Sequence, residues 1–141
     1  MTVKLNRQFY SDPTFHILLF IPVFIWLFVY KYNPSISQFE KKYLISVILI
    51  IPIIEEVIFR GLLQTWIAKR YNQAVGQLSL ANLITSSIFA LLHLFTQTLS
   101  MALYTFIPSL IFGYAKDRYK RLMPSIILHS SYNGGYFLIG T

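Results

Sequence analysis

Of the 141 residues 55% are hydrophobic and 12% charged, with 12 Phe, 10 Tyr and a net charge of +7. A soluble domain of this length cannot hide so much apolar surface in one core, whereas lipid accepts it on every outward helix face. The lack of cysteine excludes disulfides, thiolate nucleophiles and Cys-ligated metal centres. The basic residues flank apolar stretches and form no stripe, so they read as topology signals and not as a nucleic-acid interface.

No repeat, low-complexity tract or linker divides the chain, so 1–141 reads as a single transmembrane domain. The fold class is all-α, a polytopic membrane helix bundle of about five transmembrane helices. The first span is expected at 14–30, after Lys4 and Arg7. No small-residue cleavage site follows it, so it reads as a retained helix and not a signal peptide. A polar loop with Asn33-Pro34 leads to a second apolar segment, 43–68, which holds Pro52, Glu55, Glu56 and Arg60. Its length predicts a kink at Pro52 or a tilt. The third segment, 78–95, carries Asn82 and His93. The fourth, 100–115, is interrupted by Pro108 and Gly113 and ends in the basic run 116–121. The fifth, 124–139, starts at Pro124, which suits a first helical turn, and carries His129 and Asn133.

Five crossings place Lys4, Arg7, Lys69, Arg70, Lys116, Arg118, Lys120 and Arg121 on one side and Lys31, Lys41 and Lys42 on the other. The excess predicts a cytoplasmic N-terminus and an external C-terminus.

Glu55 and Glu56 fall inside a span, where an ionisable group is costly and faces a partner or a wet cavity. Glu56 and Arg60 are four residues apart with the acid first, which predicts a direct pair on one helix face. Glu55 lies about 100° around the helix and is left to meet groups from elsewhere. His93 follows Phe89 by one turn, and His129 precedes Asn133 by one turn. Polar residues between membrane helices often act only as glue, and His16, near the start of the first span, reads as structural or interfacial. Glue does not require adjacent carboxylates with one unmatched. A carboxylate and an imidazole can share activation of a water, and His and Asn side chains can donate to an oxyanion, a set that suits peptide hydrolysis. Ser130 and Ser131 adjoin His129 but do not face it along a helix. A zinc site from Glu55, His93 and His129 stays open by ligand count.

The three clusters, EExxxR at Glu55, Glu56 and Arg60, FxxxH at Phe89 and His93, and HxxxN at His129 and Asn133, resemble the motifs of the CPBP family. These membrane proteases include the type II CAAX prenyl endopeptidases and many bacterial Abi-type proteins. The resemblance covers a protease-like core over 44–136. It implies a glutamate-dependent intramembrane protease in a prokaryotic plasma membrane, acting without a cofactor on a membrane-anchored protein or peptide. By the same resemblance Glu55 is the base that activates water and His93 assists. His129 and Asn133 stabilise the oxyanion, while Glu56, Arg60 and Phe89 shape the site. The chain is shorter than the prenyl-processing members, which favours a peptide or anchored tail over farnesylated CAAX substrates. Alternatives are a non-enzymatic binding or bacteriocin-immunity protein that keeps the fold, and a small proton-relaying transporter. The transporter is disfavoured by the lack of an inverted repeat.

One expectation conflicts with straight, untilted spans. Glu55 and His93 lie roughly 20 Å from their cytoplasmic helix ends but His129 only about 8 Å from Pro124, so strong tilt, an indented membrane surface with 116–121 inside a funnel, or a different start for the last helix must close the gap, unless the five-span topology is itself wrong.

Overall fold

Pro13 has no N–H to lose at a helix start, and Asp12 caps the turn by accepting the Thr14 N–H at 2.9 Å. This opens α1, Pro13–Tyr32, in a computed structural model that describes residues 8–32 and 40–139. Lys4, Arg7 and Asn33-Pro34, used above for topology and the first loop, lie outside the described residues. A continuous helical rod over 41–70 forms α2. A two-residue antiparallel pair, β1 (Ala74–Val75) and β2 (Leu78–Ser79), turns the chain into α3, Leu80–His93. Then follow α4, Leu99–Tyr119, and α5, Met123–Ile139. The described residues are thus organised by five helices. The third helix starts later than the expected 78: residues 78–79 form β2, and Ser79 caps α3 by accepting the Asn82 N–H at 3.0 Å.

The rod α2 is not a regular α-helix. Ser46–Ile50 and Val57–Gln64 are wound as π-helix, flanking the short α-helical stretch Ile51–Glu56. Around Pro52 the observed feature is a change in winding. Ile51 donates five residues back to the Ser46 carbonyl, and the next bond in that pattern would need an N–H on residue 52. Proline has none, so the Val47 carbonyl is left for a partner from another helix.

α4 runs past the expected end at 115 because its basic tail finds partners. Asp117 accepts from Ser79 Oγ at 2.5 Å, Arg118 bonds Asp12 at 2.9 Å, and Tyr119 packs edge-on against Phe9 and Phe15. Lys120, in the left-handed region at φ 54°, ends the helix. The turn into α5 folds back against the middle of α2, where a Cβ on Gly61 would lie 3.7 Å from Leu122. Gly61 is nine residues, about 13 Å, short of the end of α2, and this inset turn answers the expected mismatch in depth.

Among the described residues α1 alone combines the length, 20 residues, and the mean hydropathy, 2.0, that suffice by themselves for a membrane span; α3 is a shorter apolar helix. The distribution of side chains is inverted relative to a soluble protein. Phe20, Phe24 and Phe28 of α1, Leu49, Ile53 and Val57 of α2, and Leu99, Leu103 and Ile107 of α4 are exposed at helical spacing. Glu56, Arg60, Gln64, Asn82, Thr85, Ser86, Ser109 and Ser125 are completely buried. Helices approach closely where glycine allows it. A side chain on Gly113 would overlap Asn82, and one on Gly135 would overlap Trp26, which fixes the contacts of α4 with α3 and of α5 with α1.

Candidate active site

The charged centre begins on α2. Glu56 and Arg60, both fully buried, face each other at 3.3 Å, the pair expected from their spacing. The contact is ionic without hydrogen-bond alignment. The hydrogen bonds of the guanidinium run from Nη2 to α4, to the Ser109 carbonyl at 2.9 Å and the Ser109 hydroxyl at 2.6 Å. One turn further along, Gln64 donates to the Gly113 carbonyl at 3.1 Å, so α2 and α4 are matched at two successive turns. On the other flank of α4, Asn82 donates to the Leu110 carbonyl and accepts from Ser86.

His129 of α5 enters between the two glutamates. Its Nδ1 donates to Glu56 at 2.9 Å, and its Nε2 lies 3.5 Å from the Glu55 carboxylate. Glu55 is the exposed member of the group, its side chain retaining 25% of its accessible surface against 5% for His129 and none for Glu56. The imidazole is held by rings on two sides: Phe112 stacks on it at 4.7 Å and 18°, and Phe89 meets it edge-on at 5.9 Å. Phe89 is also in contact with His93, at 4.4 Å between ring centres, with Phe59, and with the Arg60 guanidinium, 5.7 Å above its face.

His93 donates from Nδ1 to the Phe89 carbonyl at 2.8 Å, which leaves Nε2 as its free ring position. Both histidines therefore use Nδ1 as a structural donor, and His129 turns its Nε2 to an ionisable carboxylate. When neutral, that nitrogen and the carboxylate are both acceptors, and two acceptors at 3.5 Å call for a shared proton or a water beside them.

Asn133, the oxyanion donor implied by the resemblance, makes a contact that the sequence did not suggest. Its amide donates to the Val47 carbonyl at 2.9 Å, the acceptor that Pro52 leaves unpaired. Its second N–H remains for other use. His16, read as structural, donates to the Asp12 carbonyl near the start of α1. The zinc arrangement is not assembled in this geometry, because no three His, Asp or Glu side chains among the described residues converge on one position. Sequence reasoning missed Ser109, Gln64 and Phe112. The only sequence trace is of Ser109, which shares turn spacing with Gly113 within an otherwise apolar segment; Gln64 and Phe112 carry none.

A predominantly helical chain with an apolar exterior and a buried carboxylate–imidazole–guanidinium centre has the side-chain distribution of a membrane protein. The chain belongs to the type II CAAX prenyl endopeptidase Rce1-like family, whose model matches residues 37–135. That family consists of membrane proteases, and the matched region contains every residue of the centre. No curated protein and no solved structure matches the chain.

Proposed function

We propose that the protein is a multi-pass intramembrane endopeptidase in which Glu55 activates a water to cleave a peptide bond in a membrane-anchored protein or peptide, near a C-terminal processing signal. The observation that carries this reading is the position of His129, with Nδ1 on Glu56 at 2.9 Å and Nε2 facing the more exposed Glu55 at 3.5 Å. Glu55 takes a proton from water as the oxygen attacks the scissile carbonyl. The proton then passes to the departing amine as the C–N bond breaks. His129, its Nδ1–H held by Glu56, takes up a proton at Nε2 and passes it on, and His93 assists from the Phe89 side. Asn133 contributes its second N–H to the oxyanion, its first being committed to Val47.

The outward faces of α1, α2 and α4 support a lipid environment, because a continuous apolar exterior around a polar interior suits hydrocarbon and not water. With family membership, they favour several crossings of a membrane; the proposed orientation, N-terminus cytoplasmic and C-terminus outside, rests on the distribution of basic residues, and the proposed prokaryotic plasma membrane on the motif resemblance.

The test is cleavage of a farnesylated CAAX peptide and of unprenylated membrane-anchored peptides by purified protein in detergent. Wild type is compared with Glu55→Gln, with and without chelator. The expected result is activity that is lost in E55Q and resists chelation. Activity that survives E55Q removes Glu55 from the chemistry, and chelator sensitivity reversed by zinc replaces the water-base reading with a metal one.

A further inference from the structure

We propose that Ser109 and Phe112 of α4 are positioning residues that fix the His129 imidazole for reaction, Phe112 through the plane of the ring and Ser109 through Arg60 and Glu56. The catalytic consequence rests on the Glu55 protease reading; the structural one does not.

The two residues are three apart and project from one side of α4. Phe112, 2% exposed, lies face to face with the imidazole at 4.7 Å, and the edge of Phe89 approaches from another side. Rotation about the ring's axis is thereby blocked, and the two nitrogens are confined to a plane in which each meets one glutamate. Phe112 also holds α5 at two other points. Its carbonyl accepts from Ser125 Oγ at 2.7 Å, and its ring meets Tyr132 edge-on at 5.2 Å. Three successive turns of α5 are thus aligned on one residue of α4.

Ser109 acts at the other end of the same ring. Arg60 carries no hydrogen bond aligned on Glu56, and both bonds it makes go to Ser109. The guanidinium position is therefore set from α4, and it in turn sets the carboxylate that takes the His129 Nδ1 proton. A carboxylate that holds Nδ1 decides which tautomer the ring adopts and so what Nε2 can do. A purely structural role for these residues predicts a loss of stability with the ring state of His129 unchanged.

The experiment uses the full chain in detergent, labelled with 15N-histidine, with the His129 signals assigned by comparison with H16Q and H93Q. Ring-nitrogen spectra and steady-state kinetics on the peptide, farnesylated CAAX or unprenylated membrane-anchored, that wild type cleaves are measured for wild type, F112L, F112Y, S109A and S109T. Wild type is expected to show one His129 tautomer, protonated at Nδ1. F112L is expected to mix tautomers and to lower kcat about ten-fold with KM changed less than about two-fold, and F112Y to restore both. S109A is expected to lower kcat about three-fold, because the carbonyl bond to Arg60 survives, and S109T to recover it. Unchanged His129 spectra in both F112L and S109A overturn the proposal. If wild type cleaves neither peptide, the protease reading fails and the spectra alone decide the inference. If F112L does not fold, S109A decides it by the same readouts.

Discussion

Replacing Asn133 by alanine tests whether its amide repairs the gap left by Pro52. In the wild-type chain N133A strips the Val47 carbonyl of its donor, within a helix whose winding cannot supply another. An unpaired buried carbonyl costs about 1–3 kcal/mol. Hydrogen bonds between membrane helices average about 0.6 and reach about 1.7 kcal/mol. The expected loss for N133A is therefore about 1–1.5 kcal/mol. P52A restores an N–H on residue 52, which can serve the Val47 carbonyl, so N133A made in P52A should cost about 1 kcal/mol less than in wild type. Effects of P52A on helix bending enter both arms of the cycle and cancel. Reversible unfolding in mixed detergent micelles, followed by far-ultraviolet circular dichroism, gives the four stabilities. Equal costs of N133A in the two backgrounds would refute the link between Pro52 and Asn133 and return the amide to a purely catalytic or packing role.

Other outcomes follow from single contacts. Glu56→Gln leaves the fully buried Arg60 without its counter-charge and should destabilise by about 3–5 kcal/mol, whereas E55Q should lose activity with little change in stability; unfolding of the two variants side by side separates them. Gly113→Ala forces a methyl into Asn82 and should cost about 1–3 kcal/mol, read from the same unfolding curves. Burial raises the Asp12 carboxyl, but hydrogen bonds from Thr14 and Arg118 outweigh it and hold the group below its ordinary value of 3.8. A depressed carboxyl contributes stability that is full above the ordinary value and disappears as pH falls through the folded-state value. Below about pH 4 the wild type should therefore lose stability more steeply than Asp12→Asn, and parallel pH profiles would exclude the Asp12–Arg118 bond as the cause.

The sequence alone determined the helical, lipid-compatible character of the chain, because apolar content and long uncharged segments leave a soluble core no room. It also gave the Glu56–Arg60 pair, since residues four apart on a helix must be neighbours, and it singled out Glu55 as the carboxylate left for another element. The family motifs named His93 and His129 but not their order of approach. Tertiary structure decided that His129 lies between the two glutamates, because that depends on the inset turn at Leu122 and on how α5 crosses α2. It also decided the role of Ser109 and Phe112, and the engagement of Asn133 by a backbone carbonyl. A carbonyl carries no signature in its own residue type, and the one at Val47 is available only because a π-wound turn meets a proline five residues later. Local spacing fixes which side chains share a helix face. Which face meets which is set by the packing of glycines, rings and buried polar groups between helices, and that becomes visible only in three dimensions.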